Sequence, residues 1–157
     1  MPERVLIPYD GTPLAERALR YACGEFPTSD LTALYVVDKA RDDTAASGWG
    51  DHPSEWTDWL TERRDHAQEL FREADAVAAE YDVELGTGVA IGPVADMVIQ
   101  VAEEYGMDLI VVGAHGQSAL GELLIGSVAR SLVRRSPVPV TTVRDSPGDD
   151  PTADGGD

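Results

Sequence analysis

Leu109-Ile110-Val111-Val112-Gly113-Ala114-His115-Gly116, followed after nine residues by Gly126-Ser127, is the stretch that decides the fold. The apolar run from Leu109 to Val112 reads as a buried strand. Ser127 to Arg135 reads as a helix that buries Val128, Leu132 and Val133. Between strand and helix runs the pattern Gly-x2-Gly-x9-Gly-Ser. A strand, a glycine-rich loop and a helix N-terminus together bind phosphate through backbone N–H groups. Glycine lets the main chain come close to an anion because no Cβ stands in the way. Ser127 is placed either to cap the helix or to reach a phosphate oxygen.

Outward from this loop the chain alternates strands and helices. Arg4 to Pro8 is a first short strand. Thr12-Pro13 then gives a cap residue and a proline at the first helical position. Leu14, Ala18, Ala22 and Phe26 follow at helical spacing, with Leu19 and Cys23 beside them. Leu31 to Val37 is a second strand, and 39–53 has no periodicity and reads as a loop. Ser54 to Tyr81 is a long amphipathic helix whose stripe includes Trp56, Trp59, Leu70, Phe71 and Tyr81. The tryptophans fit packing better than a binding box. Val83 to Val89 is a third strand. Gly92-Pro93 opens a helix with Val94, Met97, Val98, Val101, Ala102 and Tyr105 on its buried side, stopped by Gly106. Val138 to Val143 is the last strand.

Near-continuous apolar strands alternating with helices predict an α/β fold, a parallel sheet covered on both faces. Ligands on such sheets bind beyond the carboxyl ends of the strands, where strand order reverses. Asp10 follows the first strand and Gly113 the fourth. If those strands are neighbours, both residues face one crevice. The simpler reading of Asp10 is a turn with Gly11. The plainer alternative makes Gly113 and Gly116 turn glycines and Gly126-Ser127 a helix start, but the loop and Asp10 are read first as ligand contacts. His115 fits a structural loop residue, because nothing near it in sequence orients it as a base.

Charge limits the partners. The chain has 157 residues, with 29 acids against 12 bases and a net charge of −17. Lys39 is its one lysine. A field of that sign repels nucleic acid and anionic membrane, so neither is expected as a partner. Acid-rich, lysine-poor composition matches a protein from a salt-loving organism, and predicts stability that rises with KCl. No apolar run approaches the roughly 20 residues of a membrane span. The single Cys23 has no internal disulfide partner. With no signal-like start, a cytoplasmic protein is the expectation. Asp145 to Asp157 holds five of the acids and no base. It reads as a disordered acidic tail after one domain spanning 1–144.

These segments resemble the universal stress protein family, in its ATP-binding branch. The resemblance rests on Val5-Leu6-Ile7-Pro8-Tyr9-Asp10-Gly11-Thr12, Leu34-Tyr35-Val36-Val37-Asp38, Asp108 to Gly116, Gly126-Ser127-Val128 and Ser136-Pro137-Val138-Pro139-Val140. It implies a Rossmann-like open sheet of five parallel strands in the order 3-2-1-4-5, with helices on both faces. It also implies a homodimer that binds ATP, or ADP or AMP, often with a divalent metal such as Mg2+ or Mn2+. By position, Pro8 and Asp10 would lie near the nucleoside, with Asp10 on the ribose or on a phosphate-bound metal. Val36 would meet adenine through its main chain. Val112 and Gly113 would line the nucleotide, and Gly116, Gly126, Ser127 and Val128 would hold the phosphates.

No lysine lies between Gly113 and Arg135, so this is not the Gly-x4-Gly-Lys-Ser/Thr loop of motor and switch NTPases. Nor does the sequence offer an evident base for an attacking water. Phosphoryl transfer needs positioning and charge stabilisation at the γ-phosphate. The expectation is therefore a nucleotide-dependent stress-response module with slow hydrolysis or none. The alternatives are a weak ATPase or phosphotransferase, and a dimeric interaction protein without nucleotide. In the dimer readings, strand 138–143 would pair across a twofold axis.

Overall fold

The computed structural model describes residues 2–38, 53–114 and 126–144, with the main chain alone for 53–56. Gly116, His115, the loop 39–52 and the tail 145–157 lie outside the described residues. Five strands and four helices alternate: β1 (Arg4–Pro8), α1 (Pro13–Glu25), β2 (Asp30–Val37), α2 (Pro53–Ala79), β3 (Leu85–Ile91), α3 (Val94–Glu104), β4 (Leu109–Gly113), α4 (Ser127–Arg135) and β5 (Val140–Val143). The strands form one parallel sheet in the order β3-β2-β1-β4-β5. This is the expected α/β architecture with order 3-2-1-4-5.

Alternation along the strands builds two cores. Val5, Ile7, Leu31, Ala33, Leu109 and Val111 face α1 and α2, where they pack with Leu19, Leu70, Ala74 and Val77. Leu6, Leu34, Ile110 and Val112 face the other way, onto Val98, Ala102, Ala129 and Leu132 of α3 and α4. The central strands are buried on both faces, so they read as unbroken apolar runs rather than alternating ones. Cys23 is fully buried in the first core, and burial pushes its thiol pKa up. Trp59 is buried against Val37 in a small satellite of that core, which fits packing.

Some expected positions move. β3 begins at Leu85, not Val83. Asp82 takes a left-handed φ of 58°, and the Val83 N–H turns back to the Ala78 C=O at 3.0 Å. Val83 thus closes the end of α2 instead of opening a strand. β5 begins at Val140, because Ser136 Oγ ties down Val138 N–H and C=O in a turn and Pro137 and Pro139 carry no N–H. Tyr105 and Val133, expected inside, are 59% and 58% exposed. Tyr105 is the cap residue after α3, where the helical stripe no longer faces the sheet. On α4, the buried seam runs through Ala129 and Leu132, which turns Val133 outward. Phe26 is likewise a cap residue, edge-on to Tyr21 at 6.3 Å.

Candidate functional site

Strand order reverses between β1 and β4, since β2 and β3 lie on one side and β5 on the other. A cleft of about 700 Å³ opens beyond the carboxyl ends of the strands there. Its size falls within the range of ligand clefts, about 300–1,000 Å³. Pro8, Asp10, Val36, Val112, Gly113, Gly126, Ser127 and Val128 all line it. Eight of the nine residues singled out from sequence thus meet in one place, although they come from β1, β2, β4, α4 and the turn after β1. Tyr9, Thr12, Pro13, Leu14, Ala15, Leu34, Val94 and Ala129 complete the described lining. Leu34 was legible as the neighbour of Val36 two residues back on the same strand face. Val94 was legible as the first residue after the β3 turn. Both signals are weak without the strand order.

Register determines what Val36 offers. Tyr9 N–H donates to the Leu34 C=O at 2.8 Å, across β1–β2. Gly92 N–H donates to the Val37 C=O at 2.9 Å, on the β3 side. Main-chain groups alternate sides along a strand, so Val36 directs its N–H and C=O the same way as Leu34, toward β1. β1 ends at Pro8, opposite Leu34. Val36 therefore presents a main-chain donor and acceptor at the cleft, past the end of the neighbouring strand. Pro8, Leu34 and Val94 supply apolar surface around it.

Asp10 sits in the turn between β1 and α1, and its simpler reading holds as geometry. Its Oδ1 accepts from Thr12 N–H at 3.1 Å and from the Thr12 hydroxyl at 2.7 Å. The turn forms around Thr12, with Gly11 at a φ of +82° between them. Among the described residues that line the cleft, Asp10 is the one carboxylate, and no lysine, arginine or histidine joins it. No cluster of three or more His, Cys, Asp or Glu that could hold a metal occurs among the described residues. A single carboxylate fits a divalent cation carried mainly by ligand oxygens, not one held in a protein cage. Tyr9, buried beneath the cleft, has its phenol pKa raised by burial and then by Glu73, Glu16 and Asp10.

The two cleft glycines serve different ends. A Cβ on Gly113 would lie 2.7 Å from the Leu14 carbonyl oxygen, so this glycine lets α1 press onto the end of β4. At Gly126 a Cβ would meet none of the described residues within 4 Å. Gly126 is the N-cap of α4, with φ −55° and ψ 151° and no side-chain cap bond. Ser127 is consequently the first residue within the helix and not its cap. The first intrahelical bond runs from Arg130 N–H to the Gly126 C=O at 3.0 Å. The N–H groups of Val128 and Ala129 precede that ladder, at the positive end of the helix dipole.

Taken together, the described residues give the cleft an apolar wall with an exposed main-chain donor–acceptor pair, a carboxylate, and a helix start with no side-chain cap. That set fits a flat heteroaromatic base, a hydroxylated linker and an anion, in that order. The strand order defines a Rossmann-like α/β domain with a cleft at its switch point. The sequence model of the Universal stress protein family matches residues 1–144, and the chain belongs to that family. It is 30% identical to the universal stress protein YxiE of Bacillus subtilis over 145 residues, 90% of this chain and 98% of that one. Among solved structures, the universal stress protein UspA of Lactobacillus plantarum superposes with a TM-score of 0.73 at 26% identity, covering 90% of this chain and 97% of that one. A universal stress protein family member from Arabidopsis thaliana, solved with AMP bound, shares the fold at a TM-score of 0.65 and 16% identity. That match covers 96% of this chain and 97% of the other. No helix among the described residues is long and apolar enough to cross a membrane.

Proposed function

We propose that the cleft binds an adenine nucleotide, ATP foremost, and that the protein works as a nucleotide-dependent stress-response module with slow hydrolysis or none. The observation that carries this reading is the pairing of two open features across one crevice. They are the main-chain edge of Val36 and the start of α4 at Gly126, which has no side-chain cap among the described residues. Adenine pairs with the first, phosphate oxygens with the second, and Asp10 serves the ribose or a Mg2+ or Mn2+ ion on the phosphates. The AMP held by the Arabidopsis relative supports the ligand class. Pro8, Val112, Gly113, Ser127 and Val128 line the same cleft, and Gly116 would join the phosphate contacts. With no described cation in the lining, phosphate charge falls to backbone N–H groups, the helix dipole and the metal.

The working form in this reading is a homodimer joined through the edge strand β5, in the cytoplasm of a salt-rich cell. Light scattering on Val140→Lys tests that interface, and an intact dimer overturns it. Titration calorimetry in molar KCl, with ATP, ADP and AMP, each with and without magnesium, tests the ligand. Binding is expected for wild type. Gly126→Val, whose Cβ meets none of the described residues within 4 Å, is expected to fold and to lose binding. A wild type that binds no adenine nucleotide overturns the reading. Steady ATP turnover that vanishes in Asp10→Ala would move it to a phosphotransferase.

A further inference from the structure

We propose that Thr12 is a positioning residue for Asp10, fixing which carboxylate oxygen meets the bound nucleotide; this rests on the adenine-nucleotide reading above. Thr12 acts on Asp10 twice. Its N–H and its hydroxyl both donate to the same oxygen, Oδ1, at 3.1 and 2.7 Å. The hydroxyl also accepts from Ala15 N–H at 3.2 Å, which caps α1. A threonine hydroxyl has one proton, so donation to Asp10 and acceptance from Ala15 settle its orientation. It has no proton left for a ligand, and Thr12 acts through Asp10 rather than by contact.

The turn is braced on each side. Ahead of Asp10, Tyr9 N–H is tied to the sheet through the Leu34 C=O. Behind it, Gly11 holds a left-handed φ, and a Cβ there would lie 2.5 Å from Leu70 Cδ2 on α2. The carboxylate is thus delivered to the cleft with Oδ1 occupied, and Oδ2 is the oxygen a ligand meets. An ionised carboxylate only accepts. The group it meets is therefore a hydroxyl donor, as on a ribose, or a cation carried by the ligand. Holding the side chain in place before binding removes part of the ordering cost of association.

The test is a double-mutant cycle on nucleotide affinity, with Asp10→Ala, Thr12→Val and the double variant, read by calorimetry with ATP and with AMP. Thr12→Val is expected to weaken binding about tenfold, the size of one well-placed hydrogen bond. Thr12→Ser, which keeps the hydroxyl, restores binding to within about twofold of wild type. In the Asp10→Ala background, Thr12→Val has no further effect. Thr12→Gly retains a tolerable helix start while losing the hydroxyl, and weakens binding as Thr12→Val does, which separates positioning from loss of the cap. Wild-type affinity in a folded Thr12→Val or Thr12→Gly overturns the inference, as does an equal loss with and without Asp10. In either case wild-type binding still stands, and the nucleotide reading with it. A wild type that binds nothing overturns both.

Discussion

Helices α1 and α4 start at the same cleft and differ in how they start. α1 has a side-chain cap in Thr12, proline at its first position and Glu16 in its first turn. Its entry is also held by the Asp10 carboxylate on the Thr12 N–H. α4 has a glycine cap, no side-chain cap bond and no acid in its first turn. Of its three arginines, Arg134 and Arg135 sit in the last turn, where the helix dipole favours cations, and Arg130 lies at the fourth position. Each helix start carries roughly half a positive charge. At α1 the chain's own oxygens answer it. At α4 the N-cap is a glycine, with no side-chain cap bond among the described residues. The two helix starts at one crevice thus differ in their caps, and the proposed anion site is the one without a side-chain cap.

The largest expected effect separates the two glycines that border these starts. Gly113→Val forces a side chain into the Leu14 backbone, which is the body of α1. A backbone neighbour cannot rotate away, so the expected loss is about 3 kcal/mol, or roughly 10 °C in melting temperature. Gly126→Val meets none of the described residues within 4 Å and is expected to change stability by no more than about 1 kcal/mol, the scale of a helix cap. Thermal melts of both variants check this. Equal melting temperatures would erase the distinction between a packing glycine and a cleft glycine.

Next in size is Asp10→Ala, which removes both bonds from Thr12 to Asp10 at the α1 entry and leaves the Thr12 cap on Ala15 N–H. The expected loss is about 1 kcal/mol, as for an exposed capping interaction, read by urea unfolding. The reciprocal change, Gly126→Asp, gives α4 the kind of start that α1 has. It is expected to stabilise by about 0.5 kcal/mol through capping and the dipole. The same carboxylate occupies the anion position and repels phosphate, so nucleotide affinity falls while stability rises. A gain in both, measured by urea unfolding and calorimetry, would show that the α4 start is not where phosphate binds.

Much of this arrangement was legible in sequence because it follows from strand ends. Pro8, Asp10, Val36 and Gly113 lie at or just past the ends of apolar runs, and a parallel sheet gathers those ends on one edge. The different roles of Gly113 and Gly126 were not legible. Gly113 is a glycine because of Leu14, almost a hundred residues earlier, and no local pattern carries that contact. The direction of Val36 N–H and C=O depends on parity against Leu34 and on where β1 stops, both properties of register. Helical periodicity likewise placed Tyr105 and Val133 inside. Neither position could be corrected without knowing where α3 ends and which side of α4 meets α3.

The smallest effect concerns what holds the finished helix from the side. Arg20 on α1 pairs with Glu16 one turn earlier and reaches across to both oxygens of Glu80, just past the end of α2, at 3.0 and 3.3 Å. On α4 the corresponding exposed pair is Arg135 with Asp96. Hydrogen bonds from the Arg20 guanidinium, and then its charge, hold the Glu80 carboxyl below the usual glutamate range. The folded value lies below the unfolded one, so the pair adds stability above the unfolded value of about 4.3. That contribution is lost as pH falls through the folded value. Glu80→Gln should therefore melt slightly below wild type at pH 7, and the gap should close on descent from about pH 4.3. Glu80 is fully exposed, so the gap is small, and 1 M KCl, with a screening length of about 3 Å, should shrink it further. Melts of the two proteins across that pH range decide it. A gap that does not narrow as pH falls would mean that Glu80 supports α1 by packing and not by charge.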